Sequence, residues 1–119
     1  MPPEMQSCSA WRRCCANTSS KASTSRRATG GDEFCAVLRN VHKVAAIERA
    51  QRFCAGVRAC RFGVDVAITA SIGVAAYPYD AAEAGELLEA ADAAMYHSKR
   101  EGRDRVSFAV RRDAFAVYE

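Results

Sequence analysis

The first 29 residues contain no isoleucine, leucine, valine or phenylalanine. A segment without branched aliphatic side chains cannot bury enough apolar surface to offset its ordering entropy, so residues 1–29 are expected to be unstructured. The chain also lacks any apolar run long enough to cross a bilayer, and no membrane segment is expected. No CxxC pair occurs among Cys8, Cys14, Cys15, Cys35, Cys54 and Cys60, and the only histidines are His42 and His97. That spacing supports neither a zinc site nor a disulfide framework. Cys35 and Cys54 instead sit among apolar neighbours and read as small core residues of a protein in a reducing cytoplasm. The segment has neither a signal-peptide core nor an amphipathic apolar face, which argues against targeting.

Basic charge is scarce where the chain looks like a domain. The formal charge is +3, but residues 1–29 hold five cations and one acid, leaving 12 cations against 13 acids in the rest. The basic balance belongs to the anomalous segment, so nucleic acid is not an expected partner.

What is present from residue 30 onward is ordered. Phe34–Leu38 is a short apolar run suited to a strand. From Lys43 the period becomes helical, with Val44, Ile47, Cys54 and Val57 along one side. Between residues 64 and 75 it becomes two, with Val64, Val66, Ile68, Ala70, Ile72 and Val74 on one face. The opposite face is small rather than charged, which predicts a cover on that side too. Asp80 and Glu83 have the spacing of a capping box. The helix that follows carries Leu87, Leu88, Ala91 and Met95 on one face and should stop at Gly102. Val106–Val110 reads as a last strand, and residues 111–119 as a charged, peripheral tail. The order strand–helix–strand–helix–strand from residue 31 predicts an α/β fold, helices packed on a sheet.

The chemistry concentrates in Gly30-Gly31-Asp32-Glu33-Phe34. Two glycines let the backbone turn tightly and approach a phosphate without a Cβ in the way. Carboxylates just after the turn suit a hard divalent ion, which takes oxygen ligands and retains water and substrate phosphates. A carboxylate so placed can also accept a proton from an attacking hydroxyl. The same string also reads as a plain hairpin turn with solvated acids. Lys99 and Arg103, four apart where the last helix ends, can reach into one site, although cations there also simply suit the helix dipole. His97 reads as a surface residue.

Gly30–Phe34 matches the GGDEF signature of diguanylate cyclases, which condense two GTP molecules into cyclic di-GMP. Ser71-Ile-Gly-Val-Ala75 resembles that family's central strand motif. The stretch from Ala91-Asp92 through Met95-Tyr96 and Lys99 to Gly102-Arg103-Asp104 resembles its final helix, AD-x-A-[LM]-Y-x-A-K-x-x-G-R-N. The resemblance covers about residues 30–110 and implies part of a cyclase or palm-like sheet. It implies that Gly30 and Gly31 lie against the GTP phosphates and that Lys99 and Arg103 hold triphosphate oxygens. Asp32 and Glu33 would be the catalytic and metal-binding carboxylates for Mg²⁺ or Mn²⁺, with Asp32 the base for the attacking 3′-hydroxyl. A second such domain must face the first, so a homodimer is the implied active form in bacterial signalling.

Parts of the family pattern are missing. Nothing resembles D-x-D-x-F-K-x-x-N-D, which carries the second metal-binding aspartate and the guanine-reading pair. The inhibitory R-x-x-D register falls on Lys21-Ala22-Ser23-Thr24, and Ala28-Thr29 replaces the Arg–aromatic pair before the glycines. A shifted reading frame accounts for this. Codons spanning the Met5/Gln6 and Cys14/Cys15 junctions force alanine and leucine. The Ser7/Cys8, Ala10/Trp11 and Arg13/Cys14 junctions each force Leu, Met or Val. The forced apolar positions fall at helical spacing. Residues 1–29 are thus expected to be a frame-shifted stretch of a longer cyclase, the alternative being a divergent or disordered N-terminus. The chain alone is expected to be inactive, and the alternatives are a degenerate GTP- or metal-binding module, or the product of a non-functional gene remnant.

Overall fold

The computed structural model describes residues 24–30, 33–59, 68–111 and 114–118, with the first of these stretches and Phe34, Arg111 and Ala114 described by their backbone. Strand β1 (Thr24–Gly30) runs antiparallel to β2 (Glu33–Leu38), with Thr24 opposite Leu38 and a register shift between Ala28 and Gly30. Helix α1 (Lys43–Ala59) follows, then β3 (Ser71–Val74), α2 (Ala84–Arg100), β4 (Arg105–Arg111) and β5 (Ala114–Val117). A second sheet has the order β3-β4-β5, β3 and β4 being parallel and β5 antiparallel to β4. Parallel pairing needs a crossover, and α2 is that crossover.

The α/β order expected from the sequence is present, with one more strand at each end. β1 includes Thr24–Thr29, the end of the segment expected to be unstructured, and β5 lies within the tail expected to be peripheral. A ladder of backbone hydrogen bonds asks little of side-chain identity, so Thr-Ser-Arg-Arg-Ala-Thr can pair where it could not form a core. The long strand expected over residues 64–75 is shorter among the described residues. β3 spans Ser71–Val74, Ile68–Ala70 are not in a strand, and residues 64–67 lie outside the described residues.

Helices cover both faces of β3 and β4, as the small residues on the second face anticipated. Ile47 and Cys54 of α1 form a core with Val74 and Val106, joined by Ala46, Ala50, Ile72 and Phe108. Val106 is wholly buried, worth roughly 1.5–3 kcal/mol relative to exposure. Val44 was expected on this stripe but is 68% exposed. It instead borders an open cavity of about 430 Å³ with Lys43, Ile47, Phe108 and Tyr118.

On the other face α2 lies close against the strands. A Cβ on Gly73 would collide with the backbone of Ala91 and Met95, so only glycine allows this approach. The buried residues of α2 are Ala94 and Ser98, while Leu88, expected inward, is half exposed. At such short separation small side chains fill the interface and leucine does not fit.

The capping box did not form. Helix α2 begins after Glu83, whose side chain makes no capping bond. Asp80 is occupied elsewhere: it accepts from the Ala76 N–H at 2.7 Å and from Lys43 Nζ at 2.7 Å. Its carboxylate is almost fully buried, and it fastens the loop before α2 to the start of α1. Lys43 Nζ also donates to the Ala109 carbonyl.

Candidate functional site

Of the glycine–carboxylate signature, Gly30 ends β1 and Glu33 and Phe34 begin β2. Gly30 is paired with Glu33. Gly31 and Asp32 lie outside the described residues. The antiparallel pairing of β1 with β2 carries Glu33 toward the far end of α2. There Lys99 Nζ lies 3.4 Å from Glu33 Oε1, joining groups 66 positions apart. Both side chains are more than a third exposed, and an ion pair of that kind contributes less than about 1 kcal/mol. So weak a pair can be exchanged for stronger partners at little cost.

Lys99 stands in the last turn of α2, next to the wholly buried Ser98. Ser98 Oγ lies 2.9 Å from the Ile72 carbonyl and 2.7 Å from Ser107 Oγ, and both serines are fully buried. Each hydroxyl has one proton, so Ser98 donates to the carbonyl and accepts from Ser107. This fixes the end of α2 to both β3 and β4. His97, expected at the surface, is half-buried and stacks on Phe115 of β5 with centroids 5.6 Å apart.

Beyond α2 the chain leaves through a left-handed turn. Gly102, Arg103 and Asp104 have φ of 116°, 63° and 50°. The glycine stop expected from the sequence is present, but two non-glycine residues follow it with the same sign of φ. Each costs about 1–2 kcal/mol on a plain chain, with Asp better tolerated than Arg. Arg103 N–H donates to the Ser98 carbonyl at 3.0 Å, and the Arg103 carbonyl accepts from Arg105 Nε at 2.8 Å. The Arg103 side chain is exposed.

Asp104 is gripped from α1. Arg58 donates to it twice, Nε to Oδ2 at 2.7 Å and Nη2 to Oδ1 at 2.9 Å. Cys54 Sγ lies 3.5 Å from Oδ1 and 3.4 Å from the Ala70 carbonyl. The Arg58 hydrogen bonds hold the Asp104 carboxyl below its usual range. Burial, reinforced by Asp104, pushes the Cys54 thiol up to about 11. Sequence reading missed this cluster and the role of Ser98. The small face Ala91–Ala94–Ser98, set against Gly73, was the available signal for the close helix–strand approach.

Among the described residues, no group of three or more His, Cys, Asp or Glu side chains could hold a metal ion. Glu33 offers one half-exposed carboxylate whose contact with Lys99 is long, which leaves oxygen lone pairs for a hard cation. The donor chemistry therefore suits a divalent ion that takes its other ligands from water and phosphate. Among the described residues no helix is long and apolar enough to cross a membrane.

Comparison with known proteins adds to this geometry. The model of the family described as diguanylate cyclase, GGDEF domain, matches residues 16–105. Diguanylate cyclase A of Treponema denticola is 38% identical over 81 residues, 66% of this chain and 22% of its own length. Diguanylate cyclase DgcP of Pseudomonas aeruginosa is 39% identical over 84 residues, 67% of this chain and 12% of its own length. The bifunctional diguanylate cyclase/cyclic di-GMP phosphodiesterase MucR of the same organism is 52% identical over 44 residues, 37% of this chain and 6% of its own length. The chain thus spans less than a quarter of these relatives. No solved structure matches it. With the match extending from residue 16 through the hairpin, α1, β3 and α2 to the start of β4, the chain belongs to the diguanylate cyclase GGDEF domain family.

Proposed function

We propose that this chain carries the triphosphate- and metal-binding side of a diguanylate cyclase site, the family activity being condensation of two GTP molecules to cyclic di-GMP. The observation that carries the reading is the meeting of Glu33 and Lys99 at 3.4 Å, an acid from the signature hairpin beside a cation from the final helix. A metal–triphosphate would divide that pair, taking the carboxylate to the metal and the ammonium to a phosphate oxygen. Gly30 and Gly31 carry no Cβ, so backbone there would be able to approach phosphates closely. Lys99 and Arg103 neutralise and orient the triphosphate, a contribution that is mainly electrostatic in phosphoryl transfer.

Asp32 and Glu33 would hold Mg²⁺ or Mn²⁺, which supplies charge neutralisation of the phosphates when bound. Asp32 would accept the proton of the attacking 3′-hydroxyl. Two GTP molecules react with each other, so a second domain of the same kind must present its nucleotide to the first. The sequence contains no counterpart of the guanine-reading pair or of the second metal-binding aspartate. The chain by itself is therefore expected to bind the triphosphate without turnover, in the cytoplasm where GTP is found.

Incubation of the 119-residue chain with GTP and Mg²⁺ or Mn²⁺, followed by chromatography for cyclic di-GMP, tests both halves. Saturable GTP binding with no product is the expected result. Product formation abolished by Asp32→Asn would keep the site and overturn the inactivity. Absence of GTP binding would remove the site.

A further inference from the structure

Three residues in a row with positive φ need outside support, and here the support comes from a different helix. Aspartate enters the left-handed region more readily than most residues, but Arg103 has no such latitude. Both backbone polar groups of Arg103 are bonded, to Ser98 and Arg105, and the next residue is held by two parallel hydrogen bonds from Arg58. Arg58 Nη2 also lies 3.9 Å from Cys54 Sγ, so thiol, guanidinium and carboxylate form one contact set. Cys54 is wholly buried one helical turn before Arg58 and ties the set to the core of α1.

We infer that Arg58, Asp104 and Cys54 form a clamp from α1 that fixes the Gly102–Asp104 turn and so positions Arg103 for the triphosphate. This rests on the phosphate-binding reading of Arg103 given above. Arg58 and Asp104 are positioning residues, acting through Arg103 rather than on the nucleotide. The planar fork of arginine suits the task, because two parallel bonds fix orientation as well as distance. A lysine at 58 would keep the charge and lose the fork.

Amide hydrogen exchange and GTP titration on the full chain test the clamp together. In Arg58→Gln and in Asp104→Ala, exchange of the Arg103 N–H is expected to speed up tenfold or more. The Glu101 N–H, bonded to the His97 carbonyl one turn earlier, should stay within about twofold. Arg58→Lys should recover only part of the protection. Unchanged exchange at Arg103, or equal acceleration along all of α2, would overturn the clamp. GTP affinity should fall about tenfold in Arg58→Gln, and the same change should have no effect when Arg103 is already alanine. Equal losses in both backgrounds would show that Arg58 does not act through Arg103, which contradicts the inference. If the unsubstituted chain bound no GTP, the phosphate-site reading would fail by itself, and the exchange comparison would still decide whether the clamp holds the turn.

Discussion

The hairpin β1–β2 and the unit β3–α2–β4 bring opposite charges to one place, but they hold them in different ways. The hairpin is a two-stranded ladder with Glu33 at the start of β2, joined to α2 through the exposed Lys99 pair. The β3–α2–β4 unit is fixed by parallel pairing, the glycine-permitted approach at Gly73, the buried Ser98–Ser107 hydroxyls and the clamped turn at Asp104. The cations therefore stand on a rigid platform and the carboxylate on a lighter arm. Two-stranded hairpins are marginal on their own, whereas a strand pair covered by helices on both faces is not.

The largest expected effect comes from breaking the platform. Gly73→Ala places a methyl group against helix backbone that has no rotamer to yield, so α2 must move off the strands. We expect a loss of about 3 kcal/mol in denaturant unfolding, at the upper end of overpacking costs. Exchange protection should vanish in α2 and β3 while the β1–β2 ladder changes little. Equal loss in both regions would mean that they unfold as one unit.

The second effect is a pH window at Cys54, which packs against β3 and β4 from α1. The Cys54 thiol is raised from 9.0 to about 11 in the folded state. Its contribution is complete below the unfolded value and is lost as pH rises through the folded one. Stability should therefore decline between about pH 9 and 11, by on the order of 2 kcal/mol from this group. The decline should be shallower in Cys54→Ala, and identical slopes would contradict the burial argument. Asp104 has the opposite sign: its carboxyl is depressed by Arg58, so its contribution is present above the normal carboxylate range and lost in acid.

The smallest effect lies in the arm. Glu33→Gln should change stability by less than about 1 kcal/mol, because the pair it breaks is exposed. A shift beyond 2 kcal/mol in the unfolding free energy would show that the hairpin depends on Lys99 far more than its geometry implies.

The platform was partly legible in the sequence. Alternation through Ile72 and Val74, the helical stripe at Ile47, Cys54 and Val57, and the glycine stop at Gly102 identified its elements by period and punctuation. Which side chains face inward was harder to read, since Gly73 brings α2 so near that Ala94 and Ser98 take the places expected for leucine. Asp80 shows another limit, because a capping pattern is local while Lys43 claims that carboxylate from across the fold. The pairing of Thr24–Ala28 with β2 left no trace in hydrophobicity, since backbone bonds carry it. Of the site, Glu33 and Lys99 were named in advance and stand together. The Arg58–Asp104–Cys54 set was not, since no local spacing connects α1 to the turn after α2.

Calorimetric titration of the chain with GTP and with guanosine, both in Mg²⁺, tests the central claim most directly, using the unsubstituted chain, Lys99→Ala and Arg103→Ala. A site built for triphosphate should bind GTP and not guanosine, and each substitution should weaken GTP about 10- to 100-fold, as expected for a lost charged hydrogen bond. Equal affinity for GTP and guanosine, or GTP affinity unchanged by both substitutions, would contradict the assignment of this arm and platform to a nucleotide triphosphate.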